Sequence, residues 1–356
     1  MRDTPEAYRF FTRGLDVEKI AREPWYRRWW IYSRELFVRF TMRLSPARRA
    51  LYAVAVIFTA GGMLELFRGV HPTSVNLFPF DIAVPLPRWT PGTLKLFLGF
   101  IAMQLLMLME IADRLSLKGE LEIARDIQLA MLPRGVSELG DSRACGLTRP
   151  ANTVGGDFYD ILTLPDRRVI VTVGDVAGKG SPAALLMALL LAMMRTLVDE
   201  GLESAKLLAR LNVQICRHSP GSRFITLFYA LYHPRTGQVD YCNAGHLPPL
   251  IHRKDGSFER LTGGNIALGM FEKSTYESHR AELHSGDALI LYSDGITEAE
   301  NTAGQEFDES GLSATISAAA THEPEDLGRA VLAAVDHHAG DARLGDDLTV
   351  LVLSRN

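Results

Sequence analysis

Val169–Val198 reads VIVTVGDVAGKGSPAALLMALLLAMMRTLV. Its first five residues are all β-branched and predict a buried strand. Asp175 follows at the end of that strand, inside a glycine-rich turn. Pro182 then stands where a first helical turn tolerates proline. Pro182–Val198 is apolar nearly all round, so the reading places it deep in protein. It is not read as a membrane span, because it follows GDVAGKGS directly in a motif-dense region. The turn invites comparison with a nucleotide-binding loop, but its spacing excludes one. Three residues separate Gly174 from Gly178 instead of four, and Gly180 follows Lys179 where Ser or Thr is needed. Lys179 is then a loop cation near whatever site Asp175 serves.

Working outward, short β-branched and aromatic runs recur at Phe224–Tyr232, Gln238–Cys242, Ala288–Tyr292 and Leu348–Leu353. Glu325–His337 reads as a helix, with Pro324 at its start. Runs of strands with helices outside them predict an α+β fold. Four acidic clusters stand at strand ends: GGDFYD at Gly155–Asp160, GDVAGKG at Gly174–Gly180, YSDGITE at Tyr292–Glu298 and GDDLT at Gly345–Thr349. A single Asp-Gly is ordinarily a turn. Four aspartates converging at strand ends repel one another unless a cation joins them. All-oxygen ligands select hard cations, Mg²⁺ or Mn²⁺. Two such ions side by side suit hydrolysis of a phosphate ester.

The order GGDFYD, GDVAGKGSPAALLMA, FITLFYALY, NAGHLPPL, LYSDGITEA, DDLTVLVL resembles the PPM family of metal-dependent protein phosphatases, in its bacterial SpoIIE/RsbU branch. The likeness covers roughly residues 120–355. EIARDIQLAMLP, at Glu122–Pro133, is similar to the helical segment that precedes the domain in this branch. The resemblance implies an antiparallel β-sandwich flanked by helices, with two divalent cations, Mn²⁺ or Mg²⁺, at one end. It implies Asp157, Asp175, Asp294 and Asp346 as ligands, with the Val176 carbonyl completing one shell and Asp175 bridging. Asp160 and Asp347 would support the ligands. The resemblance also implies hydrolysis of phosphoserine or phosphothreonine on a regulatory protein, such as a STAS-type anti-sigma-factor antagonist. The alternative is a non-catalytic signalling scaffold of the same fold. PANTV precedes GGD where the branch often has a charged pair. That leaves phosphate binding to metals and backbone amides, with Arg149 the nearest arginine. His246 and Asn243 read as turn-holding residues, and Thr226 as a packing residue on the floor of the site.

The front of the chain is built differently. Residues 1–49 hold twelve Lys/Arg against six Asp/Glu. Trp25–Phe37, WYRRWWIYSRELF, fits a lipid interface or an ordinary amphipathic helix equally well. Ala50–Phe67 and Leu94–Met109 are long apolar runs, the first bracketed by Arg48, Arg49 and Arg68. Lys95, at the edge of the second run, can snorkel to the interface. Two spans, about 50–67 and 94–110, are expected, with the basic arm and the C-terminus both cytoplasmic at a bacterial inner membrane. A helical linker, 111–133, and a phosphatase domain, 134–356, follow. Leu117, Leu121, Ala124, Gln128 and Met131 form one seam on the linker, interrupted by Gln128, and Ile123, Ile127 and Ala130 a second, so the rod can pair with its own copy or equally pack on the catalytic domain. Lipid is a partner on this reading. Nucleic acid is not, because the chain carries a net charge of -4 and has no basic groove. Cys145, Cys216 and Cys242 are far apart and form no metal-binding pair.

Overall fold

The computed structural model describes residues 24–28, 31–32, 34, 38, 41, 44–68, 70–77, 80–87, 91–219, 223–319 and 323–356. The basic arm at 1–23 and parts of the aromatic-arginine segment lie outside them. The chain divides into two compact units, Met1–Leu117 and Lys118–Asn356.

In the first unit, α1 (Pro46–Arg68) and the first part of α2 (Pro91–Met131) form the two long apolar helices. They pack closely where side chains are smallest. A Cβ on Gly62 would fall 2.7 Å from the Gly92 carbonyl oxygen, and one on Gly99 would fall 3.1 Å from that of Ala55. Small residues at such crossings let backbones approach, which is how helices associate where the hydrophobic effect offers nothing. Glu65 and Lys95, the charges at the ends of the two runs, pair with each other. Arg48 reaches Asp113 at 2.5 Å. Between the helices, the proline-rich connection forms a two-stranded antiparallel hairpin, β1 (Val70–Leu77) and β2 (Phe80–Pro87). No break marks the end of the second apolar run, because α2 is one unbroken helix of 41 residues.

The second unit is the expected antiparallel sandwich. One sheet contains β3 (Ser137–Glu138), β4 (Ser142–Arg149), β9 (Leu250–His252), β10 (Phe258–Arg260), β12 (Ala288–Tyr292) and β13 (Leu348–Arg355), in the order β10-β9-β12-β13-β4-β3. The other contains β5 (Phe158–Thr163), β6 (Val169–Val176), β7 (Ile225–His233), β8 (Gln238–Ala244) and β11 (His279–Glu282), in the order β11-β8-β7-β6-β5. Their inner faces share one core, in which Val171, Phe228, Tyr232, Leu289 and Leu351 are fully buried.

Helices α3 (Ser181–Val198) and α4 (Ser204–His218) cover the five-stranded sheet; α6 (Asp308–Ala318) and α7 (Pro324–Ala339) cover the other. A one-turn helix, α5 (Asp294–Thr297), follows β12. Among the described residues, three helices, α1, α2 and α3, have the length and composition to cross a membrane. In α3 this apolarity serves the core: Ala183, Leu186, Met187, Leu190, Leu191 and Met194 are buried. The expectation of burial all round is corrected on its outer face, where Leu185 is 72% and Leu189 38% exposed. A helix on a single sheet has one face to bury, whatever its composition.

Candidate active site

The central strands of the two sheets deliver the acidic motifs to one end of the sandwich. Asp157 immediately precedes β5, and Asp175 lies at the end of β6, which pairs antiparallel with β5. Asp294 opens α5 after β12, and Asp346 precedes β13, the neighbour of β12. All four expected aspartates therefore converge. Burial, followed by the Asp175 and Asp347 carboxylates, pushes Asp157 well above the ordinary carboxylate range. Burial and the charges of Asp294 and Asp346 push Asp175 up, and burial with Asp346 pushes Asp294 up. Each acid raises its neighbours because like charges in a low-dielectric pocket resist joint ionisation.

Asp157 Oδ2 is buried without a hydrogen-bond partner. A Cβ on Gly156 would fall 2.8 Å from the Val176 carbonyl oxygen and 2.9 Å from Asp175 Oδ1. Those two oxygens thus face the same point, and glycine is what allows the loop to pass them. An orphaned carboxylate oxygen, an adjoining carboxylate and a backbone carbonyl facing the same point make a hard, all-oxygen donor set that fits Mg²⁺ or Mn²⁺. Among the described residues, no three His, Cys, Asp or Glu side chains close into a preformed metal cage. Lys179 Nζ stands 2.9 Å from Asp346 Oδ2.

The supporting acids do different work. Asp347 accepts the N–H groups of Ala151 and Gly156, both at 2.7 Å, and that of Asp157 at 3.4 Å. It sets the course of the GGD loop. Asp160 is fully buried and takes the Arg195 guanidinium at 2.8 Å. Arg195 also donates to the Met131 carbonyl at 2.6 Å, tying α3 to the end of α2. Arg149 is engaged by Asp336 on α7, at 2.8 and 2.5 Å.

The floor of the site is a polar recess of about 180 Å³ lined by Asp175, Thr226, Gly245, His246, Leu247, Asp294 and Glu298. Thr226 Oγ1 lies 3.0 Å from His246 Nδ1. Asn243 holds the turn as expected: its Oδ1 accepts the His246 N–H at 2.8 Å, and its Nδ2 donates to the His246 carbonyl at 2.9 Å. Burial drives the His246 imidazole down to about 4, so the ring is neutral near pH 7.

Sequence reasoning missed Gln128. Its Nε2 donates to the Gly155 carbonyl at 2.8 Å, and its Oε1 accepts the Gly155 N–H at 3.2 Å. The linker thus grips the loop that carries Asp157. A buried polar residue in an apolar seam was the available signal. Ile123 and Ile127, the second stripe, remain 63% and 60% exposed.

This two-sheet fold with an acidic end is that of PP2C-type phosphatase domains. It superposes on the SiaA-PP2C domain of Pseudomonas aeruginosa with a TM-score of 0.59 and 21% identity, covering 69% of this chain and 99% of that one. The phosphatase domain with a regulatory fragment of SpoIIE from Bacillus subtilis gives 0.53 and 19%, covering 60% and 65%. Residues 165–356 match the family described as stage II sporulation protein E, SpoIIE, and the chain belongs to that family. It is 32% identical over 191 residues to "Phosphoserine phosphatase RsbU" of Bacillus subtilis, covering 53% of this chain and 56% of that protein. It is 27% identical over 278 residues to "Protein IcfG" of Synechocystis, covering 70% and 44%. The chain spans about half the length of these curated relatives.

Proposed function

We propose that this protein is a metal-dependent serine/threonine protein phosphatase anchored in a bacterial inner membrane. The observation that carries the reading is the convergence of four strand-end aspartates around the unpartnered, buried Asp157 Oδ2. Similarity to a phosphoserine phosphatase supports it. Asp157, Asp175, Asp294, Asp346 and the Val176 carbonyl would hold two divalent cations, Mn²⁺ or Mg²⁺. Bound there, the pair would polarise the phosphoryl group and supply a nucleophilic water at neutral pH.

The chain's own residues do the positioning. Asp347 fixes the backbone of Gly156 and Asp157, and Gln128 holds Gly155 from the other side. Thr226 and neutral His246 wall the recess beside Asp175. The substrate class is a phosphorylated regulatory protein, with a STAS-type antagonist as the specific expectation. The domain reading is a cytoplasmic arm at 1–49, spans within 50–110, a linker at 111–133 and the phosphatase domain at 134–356. Lipid surrounds the spans, and the linker's exposed Ile123 and Ile127 suit pairing with a second copy.

The test is phosphate release from a phosphoserine protein substrate by the full-length protein in detergent, with Mn²⁺, with Mg²⁺ and with chelator. Turnover that needs the metal supports the proposal. A folded protein that binds Mn²⁺ without turning over any phosphoserine or phosphothreonine substrate supports the scaffold alternative.

A further inference from the structure

Lys179 is a cationic group beside the site that the ligand assignment leaves over. It stands at the tip of the GDVAGKG turn between Gly178 (φ 109°) and Gly180 (φ 77°). Both flanking positions lie in the left-handed region, where glycine is strain-free and a side chain is not. The turn thus presents a long cationic side chain between two glycines. Its Nζ stands 2.9 Å from Asp346 Oδ2 and also donates to the Gly345 carbonyl. The lysine side chain is 53% exposed and that of Asp346 43%, so the ammonium can leave toward solvent without unpacking the core. The hydrogen bond to Asp346 comes first among the influences that raise the Lys179 pKa, and Asp347 and Asp294 add to it.

We propose that Lys179 is a tethered counter-ion that an incoming divalent cation must displace from Asp346, so that it sets the cation concentration at which the site fills. This deepens the two-cation reading and rests on it. The physical case is one of shared oxygen and shared charge. Asp346 Oδ2 cannot both hold an ammonium at 2.9 Å and ligate a cation without bringing two positive charges to within a few ångströms. Such repulsion is weakened by solvent at half-exposed groups but not abolished, and it is doubled for a divalent ion. The flexible lysine stem makes withdrawal the easier outcome. While the ammonium is in place it offsets the repulsion among the aspartates. Two cation steps are therefore unequal: the ion that uses Asp346 competes with Lys179, whereas the orphaned oxygen of Asp157 has no such competitor.

The experiment is a Mn²⁺ titration of the full-length protein in detergent, followed by calorimetry or by the spin-resonance signal of free Mn²⁺. It compares wild type with Lys179→Met, which keeps the stem and removes the charge, and with Lys179→Arg, which keeps the charge. In Lys179→Met the weaker Mn²⁺ step should move to roughly three- to fivefold lower concentration, the scale of a half-exposed ion pair. Lys179→Arg should stay near wild type. Melting adds a readout that a merely structural lysine would not produce: Lys179→Met should melt lower than wild type in chelator, and level with it or higher in saturating Mn²⁺. Unchanged or weaker Mn²⁺ binding in Lys179→Met, or equal destabilisation with and without Mn²⁺, overturns the counter-ion role while leaving the cation site intact. Absence of Mn²⁺ binding in folded wild type overturns the two-cation reading itself and this inference with it.

Discussion

Two layers of aspartate lie at the active end of the sandwich, and their sequence neighbours are the same. Asp157 and Asp160 are three residues apart on one strand edge; Asp346 and Asp347 are adjacent. Burial does not separate Asp157 from the supporting acids, since Asp157 is 4% exposed, Asp347 6% and Asp160 not at all. What separates them is whether their oxygens already have protein donors. Asp160 has Arg195, and Asp347 has two backbone N–H groups at 2.7 Å and a third farther off. Asp157 has an oxygen with nothing, and its charge is raised in cost by Asp175. An acid whose lone pairs are satisfied by the chain is scaffold. An acid left short is where a cation fits.

The comparison is most easily broken at Asp175. Asp175→Asn should lower phosphate release by roughly a thousandfold, since it takes a ligand from both expected cations. Chelator should do the same reversibly to wild type. The same substitution should raise the melting temperature in chelator at pH 7. The sign follows from the raised pKa: a carboxyl whose folded value lies above its unfolded one costs stability once pH passes the folded value. Removing that charge removes the cost. Loss of activity with a lower melting temperature in chelator would instead place Asp175 in the scaffold layer.

Asp347→Asn probes the layer behind. The amide can still accept, but its NH₂ must face one of the N–H donors that the carboxylate now satisfies. Mn²⁺ affinity should fall by about 10- to 100-fold, the usual cost of disturbing a ligand's support. Turnover at saturating Mn²⁺ should largely recover. Failure to recover at any Mn²⁺ concentration would show that Asp347 belongs with the ligands.

Asp160→Asn should separate the layers from the other side. It leaves the Arg195 guanidinium short of its counter-charge and loosens the tie from α3 to Met131. Because Arg195 is 36% exposed, the loss should be about 1–3 kcal/mol, below that of a wholly buried pair. Thermal or denaturant melting reads it. Mn²⁺ affinity should stay within about threefold of wild type, as surface-scale electrostatic changes do. A drop as large as that of Asp347→Asn would mean that both acids support the cation site.

The convergence of the four aspartates was legible because its signal is local: an aspartate, a glycine and the end of a β-branched run. The sandwich was legible from the same runs, and β6, β7, β8, β12 and β13 fall where the alternation placed them, within a few residues. What escaped depends on partners distant in sequence. Gln128 reads as a flaw in a seam until Gly155, 27 residues on, is seen against it. Arg195 is the lone charge in an otherwise apolar helix, and that isolation was a usable sign of a buried counter-charge. The β1–β2 hairpin was hidden because prolines are poor ladder residues. The junction of apolar run and linker carried no signal, since helix formers continue through both. Composition also could not tell α1 from α3: both are apolar enough to span, and the neighbouring motifs, not hydropathy, marked α3 as core.

His246 gives the smallest and most particular test, because it lines the recess with Asp175 and Asp294 yet titrates in the opposite sense. Its folded pKa falls from the usual 6.5 to about 4, with burial as the cause. Between those values the unfolded chain takes up a proton that the folded one refuses, so stability should drop as pH falls through that window. From pH 6 to 5 the loss should be about 1 kcal/mol, somewhat under the roughly 1.4 kcal/mol of a full proton's difference over one unit. His246→Gln retains a group able to bond Thr226 but cannot titrate. It should therefore melt with a flatter pH dependence than wild type over pH 4–6.5, even if it is somewhat less stable at pH 7. The acids of the site contribute to both proteins alike, so the difference between the two curves isolates the histidine. Parallel curves would mean that the ring titrates in the folded recess as it does in the unfolded chain. The recess would then be wetter than its burial indicates, and the boundary between ligand layer and scaffold would have to be redrawn on that side.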